Sequence, residues 1–254
     1  MISFRAESSA RLLKPTYAAR SAAKEAGDVD AEVEAVNQYV QANKQHRQEL
    51  IDYSVENVGN SVALYGTMLR WTGDDAVESL DQLVSSYEAK YPDTRSAKAM
   101  RGKVERFRSV AVGVKAPDLA GPTPDGSSLD LTDIDADYVL IDFWASWCGP
   151  CISQVPDLLT VHESFKDRGF EILSVSVDNR EDKWKSAIEK YSLAWPHISD
   201  VKGWESPLAR DYNVTFVPYN FLVDRNGIIV AKNLHAAELY STVERLLEDR
   251  GEAG

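Results

Sequence analysis

The sequence predicts an α/β domain preceded by a small all-helical domain, on three observations. Up to about residue 109, apolar residues recur at helical spacings, without a strand-like run bounded by Gly or Pro. From about residue 112, short β-rich runs alternate with helical segments. Between these regions, at 112–117, Gly and Pro become frequent. Since 254 residues can hold two modest domains, we place the helical domain at 1–109 and the α/β domain at 112–254.

Helical periodicity continues through the first domain. We predict helices over 28–58 and 62–71, and a third over 76–91 that is capped by Asp74 and Asp75. Pro92 ends the third helix, and a fourth runs from Asp93 and Thr94 to about Phe107. One face of the third helix is apolar and comprises Val77, Leu80, Leu83, Val84 and Tyr87. The charged runs between such faces are expected to be solvated.

Strands and helices alternate in the second domain. A short apolar run at 138–143 suits a buried strand. An Asn-Gly pair at 226–227 indicates a tight turn between two hairpin strands. In chain order the prediction is a strand at 138–143, a helix at 148–167, a strand at 170–177, a helix at 181–191, strands at 219–223 and 228–231, and a helix at 236–250.

Charge and composition exclude several classes of protein. The net charge is −12, which argues against nucleic acid and against an anionic membrane surface as partners. The sequence has no stretch of about 20 apolar residues, so we predict no membrane span. Residues 1–7 are too polar for a signal peptide. The cysteine count is two, which excludes a multiply cross-linked scaffold and a four-cysteine zinc site.

Both cysteines lie in the run Trp147-Cys148-Gly149-Pro150-Cys151, which follows the buried strand and opens a helix. At the helix N-terminus, free N–H groups favour a thiolate on Cys148, which we expect to be exposed. Cys151 lies one turn inside, more shielded, where it can resolve a mixed disulfide. Pro150 suits a first helical turn. The alternatives are an inert structural disulfide and half of a zinc site, although no histidine has suitable spacing, so we predict no metal site.

Residues 141–151 resemble the active-site strand and helix start of thioredoxins. Over about 112–250, the chain resembles the TlpA/ResA-like thiol-disulfide oxidoreductases, in particular the Bacteroidetes type with an N-terminal extension. The motifs that carry this resemblance are 113–119, 125–131 and 195–204. The resemblance implies a thioredoxin-like fold, in which helices flank a central mixed sheet, and a redox-active disulfide as the only redox group.

The resemblance also implies roles for particular residues. Asp142 corresponds to the buried acid beneath the cysteines. A carboxyl in a strand interior is desolvated, so its pKa should rise until it can exchange a proton with Cys151. The alternative is a solvent-facing Asp at the sheet edge. Gln154 stands where the family often has Glu, and because an amide cannot carry a proton near neutral pH, acid–base work should fall on Asp142 alone.

Substrate contacts follow from the same resemblance. Pro218 corresponds to a cis proline that faces the active site, and Val217 before it offers backbone groups to an extended substrate segment. An ordinary trans turn proline is the alternative. Trp147, from its place beside Cys148, is expected to form part of a flat apolar docking surface, and Gly149 and Pro150 of the cysteine run are expected to contact the substrate. The remaining tryptophans, Trp204 among them, are expected to pack in the interior or between the domains.

The predicted function is a thiol-disulfide oxidoreductase that reduces protein disulfides. Its partners would be those substrates and a membrane or soluble thiol reductant that recharges it, in the cell envelope or periplasm. One alternative is a thiol peroxidase, since the opening segment Ala116-Pro117 is shared with peroxiredoxins, although Ala145 stands where those enzymes usually have Thr. Another makes the helical domain a binding or dimerisation module, which would give a homodimer.

Overall fold

The structure is a computed structural model, and it describes residues 2–26, 29–56 and 77–251. These residues belong to two compact units, Met1–Phe107 and Arg108–Gly254. The domains inferred from the sequence, 1–109 and 112–254, stay a prediction. The predicted helix over 62–71 and the cap at Asp74 and Asp75 lie outside the described residues.

The described part of the first unit is helical. Its helices are Ile2–Ala26 (α1), Val29–Glu56 (α2), Val77–Lys90 (α3) and Arg95–Arg108 (α4). Helices α1 and α2 pair antiparallel. The Phe4 and Tyr53 rings stack with centroids 4.3 Å apart, and Ser8 Oγ lies 2.7 Å from His46 Nδ1. This bears out the prediction that the N-terminal region is helical.

Helices α3 and α4 bury their apolar faces in one cluster. All five residues of the predicted α3 face are buried there. Helix α4 begins after Thr94. The Thr94 Oγ1 accepts a hydrogen bond from the Ala97 N–H at 3.2 Å, which satisfies one of the N–H groups that a helix start leaves without a backbone partner. The α4 residues in the cluster are Ala97, Met100, Val104 and Phe107.

A mixed five-stranded sheet is the centre of the second unit. A small hairpin, Ala120–Pro122 (β1) with Ser128–Asp130 (β2), precedes it. Its own strands are Tyr138–Trp144 (β3), Phe170–Ser176 (β4), His197–Ile198 (β5), Tyr219–Asp224 (β6) and Ile229–Lys232 (β7). Their spatial order is β5-β4-β3-β6-β7. The pairs β3–β4 and β4–β5 are parallel, and the pairs β3–β6 and β6–β7 are antiparallel.

Within the described part of this unit, four helices accompany the sheet: Gly149–Phe165 (α5), Glu181–Tyr191 (α6), Pro207–Asp211 (α7) and Ala236–Gly251 (α8). Helix α5 ends near the predicted place, where a 3₁₀ turn at Lys166–Arg168 leads to Gly169 with φ of 93°. A left-handed residue of this kind commonly ends a helix. Strand β5 and helix α7 were not predicted. The arrangement is the thioredoxin-like fold that the sequence predicted.

Strand β3 lies in the middle of the sheet and is buried on both faces, which accounts for its continuous apolar sequence. Its side chains alternate between the faces. Phe143 packs on one face, with its ring 5.4 Å from the Tyr212 ring, and Asp142 projects from the other. Among the described residues, no helix combines the length and apolar character needed to cross a membrane.

Candidate active site

A disulfide joins Cys148 and Cys151 at the start of helix α5, with a Cα–Cα distance of 5.3 Å. Cys148 is the N-cap residue, and its Sγ accepts a hydrogen bond from the Cys151 N–H at 3.1 Å. Pro150 lies in the first turn, where its missing N–H leaves no helical bond unmade. The sulfur of Cys148 therefore occupies the position at which helix N-termini stabilise negative charge.

The prediction that Cys148 is exposed is wrong for the disulfide form. Cys148 is 4 % exposed and Cys151 is 5 % exposed. The reason is that the disulfide holds the Cys148 sulfur over the first turn of α5, against its backbone, instead of letting it project into solvent. Gly149 is exposed, and apart from its chain neighbours and the backbone of its own helix, no atom of the described residues lies within 4 Å of the position a Cβ would take there. The open side of the motif is thus at Gly149.

A cis peptide bond joins Val217 to Pro218, as the resemblance implied. Pro218 directly precedes strand β6, whose first residue, Tyr219, pairs with Phe143 of β3. Because these strands are antiparallel, Pro218 comes next to the end of β3, from which the turn to the cysteines departs. The register thus brings the proline segment and the cysteine run to the same end of the sheet.

Asp142 is buried in β3 with 5 % of its surface exposed, so it does not face solvent at a sheet edge. Helix α5 covers the same face, since its Phe165 packs 6.5 Å from Phe170, the register partner of Tyr138, and Tyr138 and Asp142 share a face. Burial raises the pKa of Asp142 to about 7, and a hydrogen bond from Ser174 Oγ at 3.4 Å acts in the opposite direction. This carboxyl can therefore change protonation near neutral pH.

Two exposed tryptophans lie together beside the cysteines. Trp147 is 57 % exposed and Trp204 is 47 % exposed, with ring centroids 6.4 Å apart. The prediction that Trp204 packs in the interior is therefore wrong. The reason is that the 3₁₀ turn Gly203–Glu205 carries this side chain to the surface next to Trp147. Exposed aromatic pairs of this kind suit contact with a protein partner.

Asp178 is a buried carboxylate that the sequence analysis missed. Its oxygens accept hydrogen bonds from the Ser146 N–H at 2.8 Å, from Ser146 Oγ at 2.7 Å and from Ser176 Oγ at 2.7 Å. Its backbone carbonyl accepts from the Gly203 N–H at 3.2 Å. Asp178 thus fixes the turn before Cys148 and the turn that carries Trp204. An acid directly after a buried strand that is parallel to β3 was the available signal.

Gln154 forms a hydrogen bond with His235, a residue for which the sequence predicted no role. Its amide nitrogen lies 3.0 Å from His235 Nδ1, and His235 Nε2 lies 3.0 Å from Asn233 Oδ1. Since an amide NH₂ can only donate, Nδ1 accepts and Nε2 carries the proton. Burial lowers the pKa of His235, although the nearby Glu238 acts in the opposite direction, and the lower pKa favours the neutral ring. Within the described residues, no group of three or more His, Cys, Asp or Glu side chains could hold a metal ion.

This fold, with a Cys-x-x-Cys disulfide at a helix start beside a cis proline, defines a thioredoxin-like redox protein. The family model described as AhpC/TSA family matches residues 112–232. A thiol-disulfide oxidoreductase ResA of Bacillus cereus is 30 % identical over 121 residues, which are 48 % of this chain and 68 % of that protein.

Two solved structures from Bacteroides are also similar. The thioredoxin domain of a thiol-disulfide oxidoreductase from Bacteroides vulgatus is 40 % identical with a TM-score of 0.52, covering 55 % of this chain and 99 % of that one. A thiol:disulfide interchange protein from Bacteroides sp. is 38 % identical with a TM-score of 0.51, covering 55 % and 92 %. The chain belongs to the ResA-like thiol-disulfide oxidoreductases of the thioredoxin superfamily, and the predicted oxidoreductase class is confirmed.

Proposed function

We propose that this chain reduces protein disulfides through a dithiol–disulfide cycle at Cys148 and Cys151, with no cofactor besides that pair. The observation that carries the proposal is the disulfide at the first turn of α5, where the Cys148 sulfur accepts the Cys151 N–H. The same N–H group would stabilise a Cys148 thiolate in the reduced form. The intervening Gly149-Pro150 is the dipeptide of thioredoxins, and this resemblance supports the reducing direction.

The cycle has two exchange steps. In the first, the Cys148 thiolate attacks one sulfur of the substrate disulfide. A mixed disulfide forms, and the other substrate sulfur leaves as a thiolate that takes up a proton. In the second, the Cys151 thiol loses its proton, and its thiolate attacks Cys148 Sγ. The second substrate sulfur leaves, likewise takes up a proton, and both electrons of the reduction have come from the enzyme dithiol.

Asp142 is the group that accepts the Cys151 proton in this proposal. Its pKa of about 7 suits a proton acceptor near neutral pH, because such a carboxyl is partly ionised there and still basic enough to take a proton. Helix α5, whose first turn carries Cys151, packs on the same face of the sheet from which Asp142 projects. Gln154 cannot share this work, since its amide does not titrate and is bound to His235.

The substrate segment would lie extended across the cysteine run and the cis-proline segment. Val217 offers backbone groups for strand-like pairing, and Pro218 ends that pairing because it has no N–H. Trp147 supplies apolar contact area, and the open space at Gly149 lets a substrate backbone approach the sulfurs. Pro150 restricts the motif to its helical conformation.

The cycle needs a second partner, which is a membrane or soluble thiol reductant that returns Cys148 and Cys151 to the dithiol. By resemblance to the TlpA/ResA-like proteins, we place both partners in the cell envelope or periplasm. The helical unit is proposed as a dimerisation module. Light scattering on the full chain tests this, because a homodimer would have twice the chain mass of 28.3 kDa, and a mass of one chain would contradict it.

The experiment for the main proposal uses the full chain. Reduced protein should turn over a model protein disulfide, and Cys151→Ser should trap that substrate as a mixed disulfide. Cys148→Ser is the matched control and should trap nothing, because it lacks the attacking thiol. If the folded, fully reduced protein shows no turnover, the proposed function is wrong. Proteins captured by Cys151→Ser from cell extract would identify the substrates and their compartment.

A thiol peroxidase is the second candidate, because the matching family model carries the description AhpC/TSA family. Ala145, three residues before Cys148, lacks the hydroxyl that peroxidase sites usually place there. Its backbone carbonyl accepts the Cys148 N–H at 3.0 Å, so this position serves the turn. A peroxide-consumption assay on the reduced protein separates the two candidates.

A further inference from the structure

Four buried polar side chains cross the central sheet in one row. Asp142 pairs in register with Ser174 of β4 on one side and with Asn220 of β6 on the other, and Ser174 pairs with His197 of β5. All four are at most 5 % exposed. Register partners on adjacent strands project from the same face with Cβ atoms about 5 Å apart. Asp142 therefore has polar neighbours on both sides within the sheet.

Among the described residues, only one of these neighbours donates a hydrogen bond to the Asp142 carboxylate. Asn220 is turned to the backbone of Leu234, donating to its carbonyl at 2.7 Å and accepting its N–H at 2.9 Å. Ser174 Oγ lies 3.4 Å from Asp142 Oδ2. Ser174 is thus the side chain that donates a hydrogen bond to the carboxylate.

Trp195 fixes the direction of that hydrogen bond. Its indole Nε1 lies 2.8 Å from Ser174 Oγ. An indole N–H can only donate, so the hydroxyl oxygen must accept from Trp195, and the hydroxyl proton is directed to Asp142. Trp195 is itself held in place, since its ring stacks on His197 at 6.1 Å and contacts the His162 ring at 5.3 Å.

Among the residues that the structure describes, the titratable groups around Asp142 add no nearby cation to this arrangement. His197 ends the row, and burial lowers its pKa to about 4 against a smaller opposing effect of the Leu193 backbone, so its ring is neutral. His162 of α5 faces Glu171 of β4 at 2.8 Å, and His235 before α8 is bound by the Gln154 amide. Cys148 and Cys151 at the start of α5 are joined as a disulfide, so they do not titrate in the oxidised chain. The effects on the pKa of Asp142 are burial, which raises it, and the Ser174 hydrogen bond, which lowers it.

We propose that Ser174, oriented by the Trp195 indole, is a positioning residue that stabilises the charged form of Asp142 for proton exchange with Cys151. This inference rests on the proposed function, in which the Cys151 proton passes to an Asp142 oxygen while the freed thiolate attacks Cys148 Sγ. A hydroxyl directed at the carboxylate keeps the acceptor ionised at a lower pH than burial alone would allow.

The test is a direct titration of the Asp142 carboxyl by ¹³C NMR in the full, oxidised chain. Ser174→Ala should move the Asp142 midpoint upward by about half to one pH unit, because the charged form loses a hydrogen-bond donor. Ser176→Ala is the matched control. It removes an equally buried hydroxyl from the same face of β4, but that hydroxyl donates to Asp178, so the midpoint should not move. A shift in Ser174→Ala no larger than in the control, or a downward shift, overturns the inference.

Two further variants keep the test decisive if Ser174→Ala does not fold. Ser174→Thr retains a hydroxyl and should keep the wild-type midpoint, whereas Trp195→Phe removes the orienting N–H and should raise it by a smaller amount. The pH profile of mixed-disulfide resolution should shift in parallel. An inactive wild-type protein overturns the proposed function and this inference together. An active wild-type protein whose Asp142 midpoint does not respond to Ser174 overturns this inference alone.

Discussion

Replacing Asp142 by Asn should stabilise the fold, and the gain should depend on pH. Burial raises the pKa of this carboxyl from 3.8 to about 7. Between these values the unfolded chain binds fewer protons than the folded one, so wild-type stability falls as the pH rises. Below pH 3.8 both states are protonated and the penalty disappears. A pKa rise of about three corresponds to about 4 kcal/mol at pH 8, since each tenfold change in an ionisation constant is roughly 1.4 kcal/mol.

The assay is urea unfolding of oxidised wild-type protein and Asp142→Asn at pH 5 and pH 8. Of the six tryptophans, all but Trp71 lie in Arg108–Gly254, so fluorescence reports mainly the unit that contains Asp142. Asn should stabilise by about 4 kcal/mol at pH 8 and by about 1.5 kcal/mol at pH 5, where less of the penalty has developed. Equal stabilisation at both values would refute the reasoning, because the gain would then come from packing and not from ionisation.

Asp125→Asn is the matched control for this experiment. Asp125 is an exposed turn residue, and its Oδ1 accepts hydrogen bonds from Thr123 and from the N–H and hydroxyl of Ser127. These bonds lower its pKa from 3.8 to about 2, which is the opposite direction to Asp142. The stabilisation that the ionised Asp125 gives the fold is fully present above the unfolded-state pKa of 3.8. It is lost only as the pH falls toward the folded-state pKa of about 2. Asp125→Asn should therefore show no gain between pH 5 and pH 8.

Three other outcomes are expected. Asp178→Asn should lower the free energy of unfolding by about 2 kcal/mol in urea titrations, because the hydrogen bonds from Ser146 and Ser176 lose a charged acceptor; unchanged stability would contradict that role. Trp204→Ala should raise KM for a protein disulfide about fivefold and leave turnover of 2-hydroxyethyl disulfide, which offers little apolar contact area beyond its reacting sulfurs, nearly unchanged. An equal effect on both substrates would exclude a docking role. Reduced wild-type protein should consume hydrogen peroxide no faster than Cys148→Ala; faster consumption would favour the peroxidase.

The elements predicted correctly from the sequence are those with a long periodic pattern or a clear boundary. The sequence predicts helix α6 at its observed bounds, Glu181–Tyr191, and it predicts β3 as a buried strand. Strand β5 has two residues and helix α7 has five. Neither is long enough to show a period, because a helical pattern needs several turns and an alternating strand pattern needs at least four residues. Their positions depend on the neighbouring strands.

The site residues also differ in how far they could be predicted from the sequence. The cysteine run is contiguous, so its place at a helix start followed from local sequence alone. Asp178 lies 32 residues from Ser146, and Ser174 lies 32 residues from Asp142, so only the parallel register of β3 and β4 brings these pairs together. The burial of Cys148 was missed for another reason, since it depends on how the closed disulfide rests on the helix. The signal for Asp178 was its place directly after the predicted strand at 170–177, whereas a single sequence contains no signal for the Ser174 contact or for the burial of Cys148.

The disulfide between Cys148 and Cys151 has a sequence separation of three, and this short loop limits how strongly oxidation and folding are coupled. Chain entropy assigns closure of such a loop only about 2 kcal/mol of stabilisation, against nearly 5 kcal/mol for a loop of about a hundred residues. Breaking the bond therefore costs the fold only about 2 kcal/mol, far less than the loss of a disulfide that closes a long loop. A protein built this way can pass repeatedly between its two oxidation states while the same folded scaffold persists throughout.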